Sequence, residues 1–162
     1  MSSRRLARYA LLTALAMALS WLESLVPLAG VVPPGVKLGL TNLVVIFALY
    51  RMSLRDAAVI SLIRVVLVAF TFGNSYSFAY SLAGAALSLA VMALLKRSGK
   101  FSLLGISVAG AVSHNIAQVL VAMAVMETSR LAWYLPVLLV SGIAAGVCVG
   151  AAGALIVKRI RL

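Results

Sequence analysis

Apolar residues run along this chain in long blocks, separated by short polar or basic punctuation. Six blocks stand out: Leu6–Val26, Leu38–Tyr50, Ala57–Phe72, Phe78–Leu95, Leu103–Met126 and Ala132–Val157. About 20 apolar residues cross a bilayer as a helix, and six such blocks joined by short loops use up the length. The pattern predicts an all-α bundle of six transmembrane helices, one domain over residues 1–162. The second block is short for a crossing, so it is expected to tilt or to end inside protein. Arg64 interrupts the third block and is expected to face inward.

Composition fits a membrane protein: 64% of residues are hydrophobic and 10% charged. A compact soluble domain of this size could not hide so much apolar side chain. The basic residues then set the topology. Arg4, Arg5, Arg8, Arg51, Arg55, Lys96, Arg97, Lys100, Lys158, Arg159 and Arg161 fall on one side; Lys37 and Arg130 fall on the other. The positive-inside rule predicts a multi-pass cell-membrane protein with both termini cytoplasmic. The net charge of +11 is thereby spread over four edges beside anionic lipid, which argues against nucleic acid as a partner. Arg4, Arg5 and Arg8 before an apolar run resemble a signal sequence. The run is too long for a signal core and no small-residue cleavage site follows, so a retained first helix is expected. Cys148, the single cysteine, excludes an internal disulfide and reads as a small packing residue.

Several chemistries lack their residues. The carboxylates are Glu23, Asp56 and Glu127, no two of them close in sequence. Diphosphate chemistry usually holds Mg²⁺ between paired carboxylates, and ATP hydrolysis needs a P-loop; neither is present. One histidine cannot make a two-His zinc motif, and Gly-x-Ser-x-Gly is missing. No enzyme activity, cofactor or metal is expected. Proton relays generally use acids within the membrane, and the midsections of the blocks have none.

The polar residues inside apolar blocks carry what chemistry remains. His114 and Gln118 are four apart and share a helix face, while Asn115 points about 100° away. His114 lies about 16 Å along its helix and Arg64 about 12 Å from Asp56, which puts the two at similar depth. A guanidinium, an imidazole and amides at one depth suit a carboxylate, a phosphate or a polarised heteroaromatic ring. They equally suit bonds to one another or to backbone carbonyls that lock the helices, and Arg64 alone could pair with a carbonyl or snorkel. The stretch Pro27 to Asn42 is apolar and proline-rich, which suggests a lid folded over a cavity or a membrane-dipping turn. Lys37 would give such a lid a positive charge. Asn42 and Asn74, near the outer ends of neighbouring blocks, complete the candidate substrate-binding set of Lys37, Asn42, Arg64, Asn74, His114, Asn115 and Gln118. Tyr76, Tyr80, Trp133 and Tyr134 read as interfacial anchors. Small residues recur every fourth position: Ala10, Ala14 and Ala18; Gly105, Ala109, Ser113 and Ala117; Gly142, Gly146, Gly150 and Ala154. Such stripes let helices approach closely, by internal packing or by docking another protein.

These segments resemble a known family. Leu22-Glu23-Ser24 with Pro27, then Pro34-Gly35-x-Lys37-Leu38-Gly39-Leu40-x-Asn42, looks like its first-loop signature. Ser81-Leu82-Ala83-Gly84 with Ser88 and Met92, Phe101-Ser102 with Gly105, and Gly110-Ala111-x-x-His114-Asn115-x-x-Gln118 match as well. The family is the Gx transporter family, labelled heptaprenyl diphosphate synthase component I. The resemblance covers most of residues 20–126, and Ala85 and Ala117 stand where many relatives have glycine. The family is similar to the substrate-binding S components of energy-coupling factor (ECF) transporters, which capture vitamins or related compounds from outside. The resemblance implies a coupling membrane subunit and an ATPase pair as partners. It also implies a first loop that gates the pocket and a docking stripe at Ala10, Ala14 and Ala18. The substrate expected is a small anionic or polar compound: flavin-like, quinone-precursor or isoprenoid phosphate. The alternatives are a non-catalytic membrane partner of a prenyl diphosphate synthase and a stand-alone secondary carrier.

Overall fold

The computed structural model describes residues 3–25 and 39–159, and the described residues form six α-helices with no strand. They are α1 (Ser3–Ser24), α2 (Asn42–Arg51), α3 (Leu54–Thr71), α4 (Ser75–Ser98), α5 (Leu103–Val125) and α6 (Leu135–Arg159). A short 3-10 helix, Ser129–Tyr134, leads into α6. Polar punctuation in the sequence becomes caps. Ser53 accepts from the Asp56 amide at 3.2 Å, Ser102 does the same for Gly105 at 3.2 Å, and Asn74 and Ser77 form a reciprocal capping box. Gly99 closes α4 at φ 68, in the left-handed region that favours glycine.

Four helical segments are long and apolar enough to cross a membrane: α1, α4, α5 and the 3-10 helix with α6. The other two apolar blocks differ for separate reasons. Helix α3 has 18 residues, but Arg55, Asp56 and Arg64 lie among them. Helix α2 has only 10 residues, about 15 Å at the ordinary rise. It begins at Asn42 rather than Leu38, because Gly39 to Thr41 form a turn with Gly39 at φ 88. Helix α2 is also buried almost all round: Val44, Val45, Ile46, Phe47, Ala48 and Leu49 all lie in the core. It contacts every other α-helix in the bundle. A helix that is apolar on all sides belongs inside protein, so its ends need not reach either lipid face.

Helices α5 and α6 pack closely through glycines. A Cβ on Gly142 would fall 2.7 Å from Asn115 Nδ2, one on Gly146 2.7 Å from Val108 Cα, and one on Gly150 3.0 Å from Leu104 Cα. The glycines of the α6 stripe are thus internal packing, as small residues in lipid allow, while Ala154 at its end is exposed. It meets Leu104, Ser107, Val108, Ala111 and Asn115 rather than the Gly105–Ala117 edge of α5. Helix α1 sits at the periphery, against α2 and α3 only among the described residues. Leu12, Thr13, Ala16, Ser20 and Glu23 form its buried face; Ala10, Ala14 and Ala18 lie on the exposed one. Two expectations are corrected by burial. Tyr80 is in the core rather than at an interface, and Cys148 is on the outer surface of α6 rather than packed inside.

At the opposite end of the bundle, Asp56 ties α1 to α3. Tyr9 Oη donates to its carboxylate, as do Arg5 Nη2 at 2.5 Å and Ser53 Oγ at 2.8 Å. These bonds, Tyr9 first and then Arg5, hold the Asp56 carboxyl down to about 2.

Candidate functional site

The last turn of α1, the turn before α2, and the middles of α3, α4 and α5 bring polar side chains together in an otherwise apolar bundle. Glu23 begins the cluster. Its Oε1 accepts from the Gly39 amide, and from the Leu40 amide at 3.4 Å, so a buried carboxylate fixes the entry to α2. Gly39 needs its positive φ and has little room for more: a Cβ would lie 3.3 Å from Asn42 Nδ2 and 3.7 Å from the His114 ring. Asn42, the first residue of α2, is therefore beside His114, although the two are far apart in sequence.

His114 lies midway along α5 and is buried, with Gln118 fully buried one turn further on. The space for the imidazole comes from Gly84 on α4: a Cβ there would fall 2.8 Å from Cε1 and 2.9 Å from both ring nitrogens. Ser81 and Ser88 flank that glycine, with buried hydroxyls that no described residue bonds. Arg64 closes the cluster from α3. It is 97% buried, its Nη1 lies 3.5 Å from Ser20 Oγ, and the Glu23 carboxylate is close enough to attract its charge. Among the described residues, nothing accepts from Arg64 Nε or Asn42 Nδ2. Buried polar groups in native proteins nearly always find partners, so these two donors stand out in an apolar bundle.

Of the expected site residues, Asn42, Arg64, His114 and Gln118 belong to this connected region. Asn115 is turned toward α6 instead, where its Nδ2 donates to the Leu138 carbonyl at 2.7 Å and Gly142 makes room for it. Asn74 is exposed and caps α4; it lines a separate cavity of about 370 Å³ with Tyr76, Tyr80, Val125 and Met126. Lys37 and the expected lid lie outside the described residues. Ser20 was not singled out from sequence, and Glu23 and Gly84 were named only within the family motifs, not in the binding set. Glu23 had a further signal, a lone carboxylate at the end of an apolar helix; the role of Gly84 had none before its neighbour across the helix interface was known. No group of three or more His, Cys, Asp or Glu that could hold a metal occurs among the described residues.

A family model described as heptaprenyl diphosphate synthase component I matches residues 12–156. No curated protein and no solved structure matches the chain. The match takes in every residue of the buried cluster and nearly the whole bundle, and the chain belongs to the heptaprenyl diphosphate synthase component I family.

Proposed function

We propose that this protein is the substrate-capturing membrane subunit of an ECF-type uptake transporter, taking a small anionic or polar, vitamin-like compound from outside. The observation that carries this reading is the convergence of Asn42, Arg64, His114 and Gln118 beside Glu23, with donors left over on Arg64 and Asn42. A guanidinium whose fork is not fully used is suited to a carboxylate or phosphate, and a buried imidazole and amide fix its orientation. The exposed Ala10, Ala14 and Ala18 stripe supports a coupling subunit as partner, with an ATPase pair behind it. Such a subunit binds and translocates without catalysing a reaction. Both termini then lie in the cytoplasm.

Native mass spectrometry of the gently purified protein tests the reading. A retained small molecule is expected, lost on Arg64→Gln and weakened by about 1–2 kcal/mol on Gln118→Ala, the scale of one buried hydrogen bond. If nothing is retained and Arg64→Gln merely unfolds the bundle, the cluster is a helix lock and the reading fails.

The family description favours a second reading, a non-catalytic membrane partner of a prenyl diphosphate synthase. The carboxylates fit a non-catalytic role, since Glu23 is engaged with the Gly39 turn and Asp56 with Arg5, Tyr9 and Ser53. Affinity purification separates the two readings: ATPases and a membrane coupling protein in one case, a soluble synthase subunit in the other.

A further inference from the structure

Two cavities meet at Arg8, on the basic edge of the bundle and far along α1 from Glu23. The first, of about 300 Å³, is lined by Arg4, Arg5, Arg8, Arg51, Met52 and Asp56. The second, of about 320 Å³, runs along α1 and is lined by Arg8 with apolar side chains, among them Leu11, Leu12, Leu15, Val44, Phe47 and Ile156. The charges in the first cavity do not balance: four guanidinium groups face one carboxylate. Arg5 is committed to Asp56 and lies over the Tyr9 ring. Arg4 and Arg8 have no ion-pair partner among the described residues. Arg51 donates one Nη2 proton to the Val157 carbonyl, yet its Nε is buried and unbonded among the described residues.

We infer that this composite cavity is a binding site for an anionic phospholipid, its phosphate among Arg4, Arg8 and Arg51 and an acyl chain along the α1–α2–α6 groove. Each part supplies half of the argument. Guanidinium groups with unused donors recognise phosphate oxygens in pairs. The groove is apolar, opens to the outside and begins where the arginines end, so its occupant has an apolar tail directly attached to an anionic head. This edge carries most of the Lys and Arg of the chain, and anionic lipids concentrate on the leaflet that such an edge faces. A soluble phosphate would leave the groove empty, and a partner helix would leave the arginines unmatched unless it were acidic at one spot. The inference does not depend on what the buried cluster binds.

The test is native mass spectrometry of the full chain, delipidated in detergent and titrated with phosphatidylglycerol or phosphatidylcholine of equal chain length. The expected result is retention of phosphatidylglycerol about tenfold or more over phosphatidylcholine. Arg4→Gln with Arg8→Gln should remove that preference; neither side chain pairs with another described residue, so folding is spared. Leu15→Trp, which fills the groove, should lower retention of phosphatidylglycerol. Equal retention of the two lipids overturns the inference, as does a preference unchanged in the double variant. Displacement by inorganic phosphate at equal concentration also overturns it, because the groove would then contribute nothing. A second copy of the chain held in place of lipid, and lost on Leu15→Trp, reassigns the groove to self-association and overturns it as well.

Discussion

At the scale of single residues, the site depends on absences of side chain as much as on polar groups. Gly84 is the clearest case, because the His114 ring occupies the volume a methyl group would need. Gly84→Ala is therefore expected to destabilise the bundle by about 1–3 kcal/mol, the usual cost of overpacking a filled core. Thermal unfolding in detergent measures it. Adding His114→Ser should recover part of the loss, since two residues in direct contact do not contribute independently. No loss in Gly84→Ala would show that the ring moves aside at no cost, and strictly additive losses would show that the two positions are not coupled. Much of this chemistry was legible in the sequence: Asn42, Arg64, His114 and Gln118 are polar where their neighbours are apolar, and a polar residue in lipid needs a reason. Gly84 was not, because a glycine in a membrane helix gains its meaning from the residue opposite. Glu23 was left out of the binding set since a carboxylate at a helix end reads as interface, whereas here it is 3% exposed and holds a turn.

At the scale of elements, apolar blocks gave the number and order of the helices, while the caps at Ser53, Asn74, Gly99 and Ser102 set several of their ends in the structure. Hydropathy failed at Gly39–Thr41, because an apolar turn and an apolar helix have the same composition; only the positive φ of Gly39 separates them. The joint between α1 and α3 yields a prediction about pH. The Asp56 carboxyl falls from its ordinary 3.8 to about 2 in the folded protein. The unfolded chain thus binds the proton more readily, and the bonds to Asp56 stabilise the fold fully above about pH 4. That contribution should fade as pH falls through about 2, and Asp56→Asn should flatten the stability profile in this window. High salt should shrink the effect, since Arg5 is half exposed. The outer face of α1 yields another prediction. Ala14→Trp should leave ligand retention intact and abolish co-purification with a coupling subunit. If the variant unfolds the isolated protein, the exposed stripe is not a docking face.

At the scale of the whole molecule, the positive-inside rule turns the charge asymmetry into a prediction of orientation in the membrane. A cysteine introduced at position 130, in the 3-10 helix, should react with an impermeant thiol reagent added from outside, while one at position 2 should not. Reaction at position 2 alone would invert the proposed topology and move the buried cluster to face the cytoplasm.

The glycine contacts along α6 have a consequence for how the chain can be cut. Helices α4, α5 and α6 follow one another in sequence and bury their glycines against each other, so half of the molecule is held together by neighbours. Helices α1 to α3 reach that half through α2 and through α3 on α4. Separate insertion of helices followed by lateral association is ordinary in lipid. A gene split at Gly73, giving 1–73 and 74–162 as two polypeptides made in one cell, should therefore yield a reconstituted bundle that co-purifies through a tag on either piece. The covalent link at the Gly73–Asn74 junction would then be a convenience of synthesis, with recognition between the halves written into their surfaces.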